Sequence, residues 1–270
     1  MIYRTFINPT ARKGDKAQGI LAHRFPQATL LPYRVDEPAD ALVVCGGDGT
    51  LRRALNLELP KDLYYLPLGT VNDKGHLSSG KLVVGDTNLG RFSYVFATGS
   101  LTDIGYNTPR SAKRRFGRLA YLGKALDSFR IQHIPAKIQA GLLVDEGEYT
   151  LVMLLVGKRC FGFNFVKDDL PDGAYLLTVR TPSHSGLIGL WQLFWRYARV
   201  FWVGIKPDYH RHGIDLVRAD RASIELSHPV HWCVDGDRLT TEKVDFVRTP
   251  LDVTMHVLRK RKKTITSPTV

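Results

Sequence analysis

Short apolar runs at residues 3–7, 29–33, 41–45 and 64–66 alternate, up to about Gly85, with stretches that are polar or compatible with helix. Strand-sized runs in that rhythm predict a parallel α/β sheet, with covering helices over 16–25 and 50–57. From Lys81 onward the texture changes. Apolar runs at 92–96, 142–144, 149–156, 175–179, 223–226 and 253–258 predict a β-rich, sandwich-like second half. Two helical patterns interrupt it. One spans 113–130, with Phe116, Leu119, Leu122, Leu126 and Phe129 on a single face. The other sets Leu187, Leu190, Trp191, Phe194, Trp195, Ala198, Phe201 and Trp202 at helical spacing. The implied division is an α/β domain over 1–85, a β-sandwich domain over 86–258 and a basic tail over 259–270.

The first predicted sheet places three polar segments at the carboxyl ends of its strands, where open α/β sheets bind ligands. Gly46, Gly47 and Gly49 flank Asp48 directly after the run at 41–45, and Thr50, Leu51 and Arg52 open the next helix. Glycines let backbone N–H groups approach a ligand, and the helix offers its positive end to phosphate. An aspartate inside such a turn makes sense when a divalent cation bridges it to the phosphates, which points to phosphoryl transfer. A bare glycine turn with a capping aspartate is the plainer alternative. A second glycine turn, Gly69, Thr70, Val71, Asn72 and Asp73, follows the run at 64–66, so its loop is expected beside the first. Asn8, Pro9, Thr10 and Ala11 end the first strand on the same edge. Farther on, Asp168, Asp169 and Asp172 precede Gly173, and Asp235, Gly236 and Asp237 follow Val234. These carboxylates have the chemistry to orient a hydroxyl nucleophile or hold magnesium, although D-G dipeptides by themselves read as hairpin turns.

Composition narrows the setting. A 270-residue chain that is 44% hydrophobic buries a substantial core, and its net charge of +12 favours anionic partners such as nucleotide or an acidic membrane surface. Nucleic acid is the weakest of these, because the basic residues are scattered and no recognised motif accompanies them. Cys45, Cys160 and Cys233 are odd in number and sit in apolar runs, which suits a reducing cytoplasm and neither disulfides nor zinc. No signal peptide is expected, since a first strand begins at once. The stretch 186–205 is interrupted by Gln192, Arg196 and Arg199 and is not expected to span a membrane. Its aromatic face is expected to pack on the sandwich, with a membrane interface or an acceptor pocket as the other readings.

In order, the motifs N-P-T-A, G-G-D-G-T-L, P-L-G-T-V-N-D, L-P-D-G-A-Y and V-D-G-D resemble those of the bacterial diacylglycerol kinase-like lipid kinases, over nearly the whole chain. The resemblance implies an ATP-binding α/β domain, a C-terminal β-sandwich and an active site in the cleft between them. It implies that Asn8 to Arg12, Gly46 to Arg52 and the Gly69, Thr70, Asn72 loop hold ATP, with Asp48 and Asp73 organising phosphates and magnesium. Asp172 matches a structural magnesium position, whose other ligands would include backbone carbonyls of Asp169 and Ala174. Where the family has a glutamate as proton acceptor, this chain has Asp237, one methylene shorter, and Asp235 is a second candidate. The implied acceptor is a lipid such as diacylglycerol, met by peripheral association with the inner face of the membrane; a homodimer is compatible with it. An NAD kinase is the nearest enzyme rival, and a catalytically weakened lipid or nucleotide binder the rival from another class.

Overall fold

A computed structural model of the chain describes residues 2–11, 14–35, 37–68, 79–100, 102, 130–160, 163–167 and 173–258. The first half builds the expected parallel sheet. Strands β1 (Ile2–Ile7), β2 (Thr29–Pro32), β3 (Ala41–Gly46) and β4 (Asp62–Pro67) lie in the order β2-β1-β3-β4, all parallel. All six β3 residues are buried, as a near-continuous apolar run covered on both faces requires. Helix α1 (Ala17–Arg24) covers one face through Ala17 and Leu21, beside Tyr3, Val43 and Cys45. Helix α2 (Asp48–Leu55) covers the other through Leu51, Ala54 and Leu55, packed on Leu42, Val44, Leu63 and Tyr65. Three apolar residues at i, i+3 and i+4 form the narrow stripe that a short surface helix buries.

Residues 80 onward supply β5 (Gly80–Thr87), β6 (Gly90–Phe92), β7 (Val95–Gly99), β8 (Ile134–Ala140), β9 (Leu143–Val156), β10 (Arg159–Cys160), β11 (Phe163–Asn164), β12 (Ala174–Arg180), β13 (Tyr209–Arg211), β14 (Ile214–Arg218), β15 (Arg221–Val234) and β16 (Asp237–Val257). Most of these join the first four strands in one hydrogen-bonded sheet, fourteen-stranded among the described residues. Strand β8 pairs with both β9 and β15, which are themselves bridged by β7, so this part of the sheet curls around a core of Phe92, Phe96, Leu154, Leu176, Trp232 and Phe246. Strand β16 is the connector. It pairs antiparallel with β15 along its first half, and at its end runs parallel to β4, with Thr254 opposite Asp62 and Val257 opposite Tyr65. The strand order therefore crosses the boundary expected after Gly85.

Helix α3 (Gly186–Ala198) continues into a π-helical turn (Arg199–Val203) that ends at Gly204. Leu193, Tyr197 and Val200 are the side chains it buries, against Leu151, Leu177, Ile214 and Leu216. The expected packing of its aromatic face is incorrect: Leu187, Trp191, Trp195 and Trp202 are exposed. The opposite side faces the sheet, and Gly189 on that side lies so close to the His184 carbonyl and the Ile131 side chain that a Cβ has no room. The helix expected over 113–130 lies, except for Arg130, outside the described residues, as does the basic tail. No helix among the described residues is long and apolar enough to cross a membrane.

Candidate active site

Three of the motifs meet at the carboxyl edge of the parallel sheet. Strand β3 ends at Gly46, and Gly47 turns the chain into α2 in an extended conformation with no side-chain cap on the helix. Gly46 admits no side chain, since a Cβ there would overlap the Thr50 side chain. From β1, the Asn8 N–H donates to the Cys45 carbonyl at 2.9 Å, and the Asn8 amide donates to Thr50 Oγ1 at 3.1 Å. The Asn8 carbonyl oxygen of the side chain in turn accepts from the Thr10 N–H at 3.1 Å and the Thr10 hydroxyl at 2.8 Å. N-P-T-A is thus clamped to the glycine turn rather than merely near it. Asp48 is buried, with Oδ1 lying 3.4 Å from the Tyr65 hydroxyl, which is also 3.4 Å from the Gly46 carbonyl.

The third motif arrives from the far end of the chain. Val234 and Asp237 pair as the last rung of the β15–β16 ladder, and Asp235 (φ 49°) and Gly236 (φ 92°) form the two-residue turn between them. Both positions need the left-handed region, which aspartate tolerates and glycine enters freely. The turn lies against α2: a Cβ on Gly49 would stand 3.4 Å from Asp237 Oδ1 and 3.5 Å from the Asp235 carbonyl. Arg52 Nη1 reaches Asp237 Oδ2 at 3.4 Å, and Arg53 Nη2 lies 3.7 Å from Oδ1. Gly49, Arg52 and Arg53 sit at i, i+3 and i+4, so one face of α2 receives the hairpin.

The two hairpin carboxylates have different surroundings. Asp237 is one-third exposed and opens onto the site. Asp235 points inward and is buried; its carboxylate accepts from the backbone N–H groups of Ser93 at 2.5 Å, Tyr94 at 3.0 Å and Val95 at 3.1 Å. Burial pushes its pKa up from the ordinary carboxylate value, and the three amide donors oppose that rise. The expectation that Asp235 shares the base role is corrected by this geometry: its oxygens face the start of β7, not the cleft.

Other expected residues fall differently. Ala174, expected to offer its carbonyl to a metal, accepts the Ala219 N–H at 2.9 Å at the head of β12, which leaves the second lone pair of that oxygen uncommitted by this bond. Arg12, Gly69, Thr70, Asn72, Asp73, Asp169 and Asp172 lie outside the described residues, although Leu68, just before the second loop, donates its N–H to the Gly46 carbonyl at 2.8 Å. Among the described residues no group of three or more His, Cys, Asp or Glu side chains gathers as a metal cluster. Sequence reasoning missed Arg53 and Tyr65. The i, i+4 spacing from Gly49 to Arg53 was the available signal for the first; nothing local marked the second.

A glycine turn at a parallel strand's carboxyl end, with a helix N-terminus behind it and a carboxylate poised in front, has the geometry of the anion sites that open α/β sheets form, here completed by a strand hairpin from a β-rich half. Residues 3–77 match the family model of the diacylglycerol kinase catalytic domain. A diacylglycerol kinase of Staphylococcus aureus (strain JH9) is 29% identical over 203 residues, covering 66% of this chain; the chain spans 64% of the length of that relative. A crystal structure of a diacylglycerol kinase from Bacillus anthracis str. Sterne has a TM-score of 0.61 at 22% identity, covering 94% of this chain and 95% of that one. A second structure from the same organism reaches 0.67 at 22% identity, covering 94% of each chain. The fold is shared with these structures across nearly the full length.

Proposed function

We propose that the chain is an ATP- and magnesium-dependent lipid kinase that transfers the γ-phosphoryl group to a lipid hydroxyl such as that of diacylglycerol, working from the cytoplasm at the inner face of the membrane. The observation that carries this reading is the seating of Asp237 against Gly49, which sets a carboxylate beside a phosphate-binding turn. On this reading the cleft lies between a nucleotide-binding domain and a β-sandwich domain. The turn from Gly46 to Thr50 cradles the triphosphate with backbone donors, Asn8 fixes Thr50, and Gly69, Thr70, Asn72 and Asp73 are proposed as further nucleotide contacts.

Asp237 orients the acceptor hydroxyl and takes its proton as the oxygen attacks the γ-phosphorus and the bond to the β-phosphate oxygen breaks, releasing ADP. Arg52 and Arg53 fix where the carboxylate points. With Asp48 as the buried carboxylate of the turn, the donor set suits magnesium held by one carboxylate and phosphate oxygens rather than a closed protein cage. Bound there, the cation would neutralise charge developing on the phosphoryl group. Asp172, Asp169 and the Ala174 carbonyl are proposed as a structural cation site.

The test is transfer from γ-labelled ATP with magnesium to diacylglycerol, other hydroxylated lipids and NAD, with Asp237→Asn in parallel. Label entering a lipid, and falling by about 100-fold or more in the variant, is expected for the loss of a general base. Labelled NAD in place of lipid overturns the reading.

A further inference from the structure

Four aromatic rings on α3 and its π-helical extension form one connected surface in water. Trp191 stacks on Phe194 with centroids 5.8 Å apart, Trp195 meets both edge-on at 5.6 and 5.7 Å, and Trp202 meets Phe194 at 6.0 Å. Trp191, Trp195 and Trp202 are 61%, 57% and 71% exposed, and Leu187 and Ile188 extend the patch at 85% and 61%. A contiguous apolar surface of this kind on a folded protein marks a contact site. The π-helical turn matters here, because one residue added to the helical period swings Trp202 back over Phe194.

The surrounding charge says what meets this surface. From Gly173 to Pro207 the sequence contains no Asp or Glu, with Asp208 just beyond it. Arg180 there pairs with Asp145, and Arg196 donates to the Arg180 carbonyl at 2.6 Å. Arg199, whose guanidinium lies over the Tyr209 ring, and Lys206 are therefore the exposed cations of this stretch. Arg199 is exposed and sits four residues after Trp195 and three before Trp202, so it rises from the same side of the helix. Tryptophan favours the membrane–water boundary, and cations beside it are drawn to anionic headgroups. We propose that the outer face of α3 and its π-helical turn docks on an anionic phospholipid bilayer, with the tryptophans at headgroup level and Arg199 and Lys206 against lipid phosphate. The choice of a bilayer over a protein partner also rests on the lipid-kinase reading, since a bilayer holds that enzyme's acceptor.

The chain supplies its own reporter: three of its four tryptophans are on this face, and the fourth, Trp232, is fully buried. Full-length protein mixed with phosphatidylcholine vesicles containing phosphatidylglycerol should co-sediment, shift its tryptophan emission to the blue and be quenched by brominated lipid. Pure phosphatidylcholine should capture at least tenfold less. Trp191→Ser/Trp195→Ser should lose at least tenfold in binding, while its urea midpoint stays unchanged because both side chains are exposed. Arg199→Glu should lose binding to anionic vesicles without losing the helix. Equal vesicle binding by parent and double variant overturns the proposal, as does a dimer of the parent that the double variant splits, which would give the face to a second copy. The double variant should phosphorylate short-chain diacylglycerol dispersed without vesicles as fast as the parent. If neither transfers phosphate yet vesicle binding still needs Trp191 and Trp195, the docking surface stands and the kinase reading falls.

Discussion

Asp235 and Asp237 are two residues apart, yet the geometry predicts that removing them damages different properties. Asp235→Ala leaves the N–H groups of Ser93, Tyr94 and Val95 without their acceptor in a buried site. Each such orphan costs about 1–3 kcal/mol. The low end applies, because desolvation of the carboxylate already offsets part of what the bonds contribute, giving a loss of about 3–5 kcal/mol for the three. An alanine held at φ 49° adds about 1 kcal/mol. The expected total, about 4–6 kcal/mol, is a large part of the stability of an ordinary domain, roughly 5–15 kcal/mol. Asp235→Asn is milder: it keeps the left-handed turn and one acceptor for Tyr94 and Val95, but sets an amide donor against Ser93, costing about 1–3 kcal/mol. Asp237→Ala breaks only a partly exposed contact with Arg52 and Arg53, worth no more than about 1 kcal/mol. Urea unfolding followed by circular dichroism, with transfer activity measured on the same samples in the absence of urea, separates the two. The midpoint should fall steeply for Asp235→Ala, moderately for Asp235→Asn and hardly for Asp237→Ala, whereas transfer should collapse in the last. An Asp235→Ala protein as stable as the parent but unable to transfer phosphate would show that Asp235 faces the chemistry and that the inward assignment is mistaken.

Gly46→Ala drives a methyl group into Thr50 and, through it, into Asn8; a stability loss of about 1–3 kcal/mol is expected, with weakened ATP binding by calorimetry, and unchanged values for both would refute the tight clamp. The three thiols are buried, and burial pushes Cys45 up to about 12, so none should react within minutes with a disulfide reagent at neutral pH, and all three should react in guanidinium. Cys45 reacting at once in the native protein would contradict the packing of β3.

The glycine turn was legible because its signal is local: the run at 41–45 reads as a covered strand, and Gly46 and Gly47 turn the chain, although α2 begins at Asp48, two residues before the expected start. The hairpin's docking was not, because nothing in V-D-G-D says which surface it meets; contact with α2 depends on β16 crossing from β15 to β4 over twenty-one residues. Only the end of that strand was visible as an apolar run. Its first part alternates charged and apolar residues, as in Glu242, Lys243, Val244, Asp245 and Phe246, with polar side chains left exposed. Helix α3 illustrates another limit. Gly189, Leu193, Tyr197 and Val200 repeat as regularly as Leu187, Trp191, Phe194 and Trp195, so periodicity gave the helix but not which side faces the sheet. Leu193, Tyr197 and Val200 pack on the sheet and the tryptophans do not, a choice that the spacing of apolar residues does not encode.

The same hairpin bears on the missing methylene of Asp237. A shorter acid would be expected to fall about 1.5 Å short of a hydroxyl placed for glutamate, an error large enough to matter in a proton transfer. Reach, however, depends on the whole hairpin and not on the side chain alone. Three backbone amides hold Asp235 from behind, fixing the turn, and Gly49 has no side chain to keep that turn away from α2. A methyl group at position 49 would lie in ordinary van der Waals contact with the Asp237 carboxylate, filling the space into which that carboxylate now reaches. The aspartate therefore stands close to the phosphate turn because its anchor and its neighbour bring it there, and the two arginines keep it pointed along α2. On this argument Asp237→Glu is not expected to raise transfer from γ-labelled ATP above the parent's, and a more active Asp237→Glu protein would refute it.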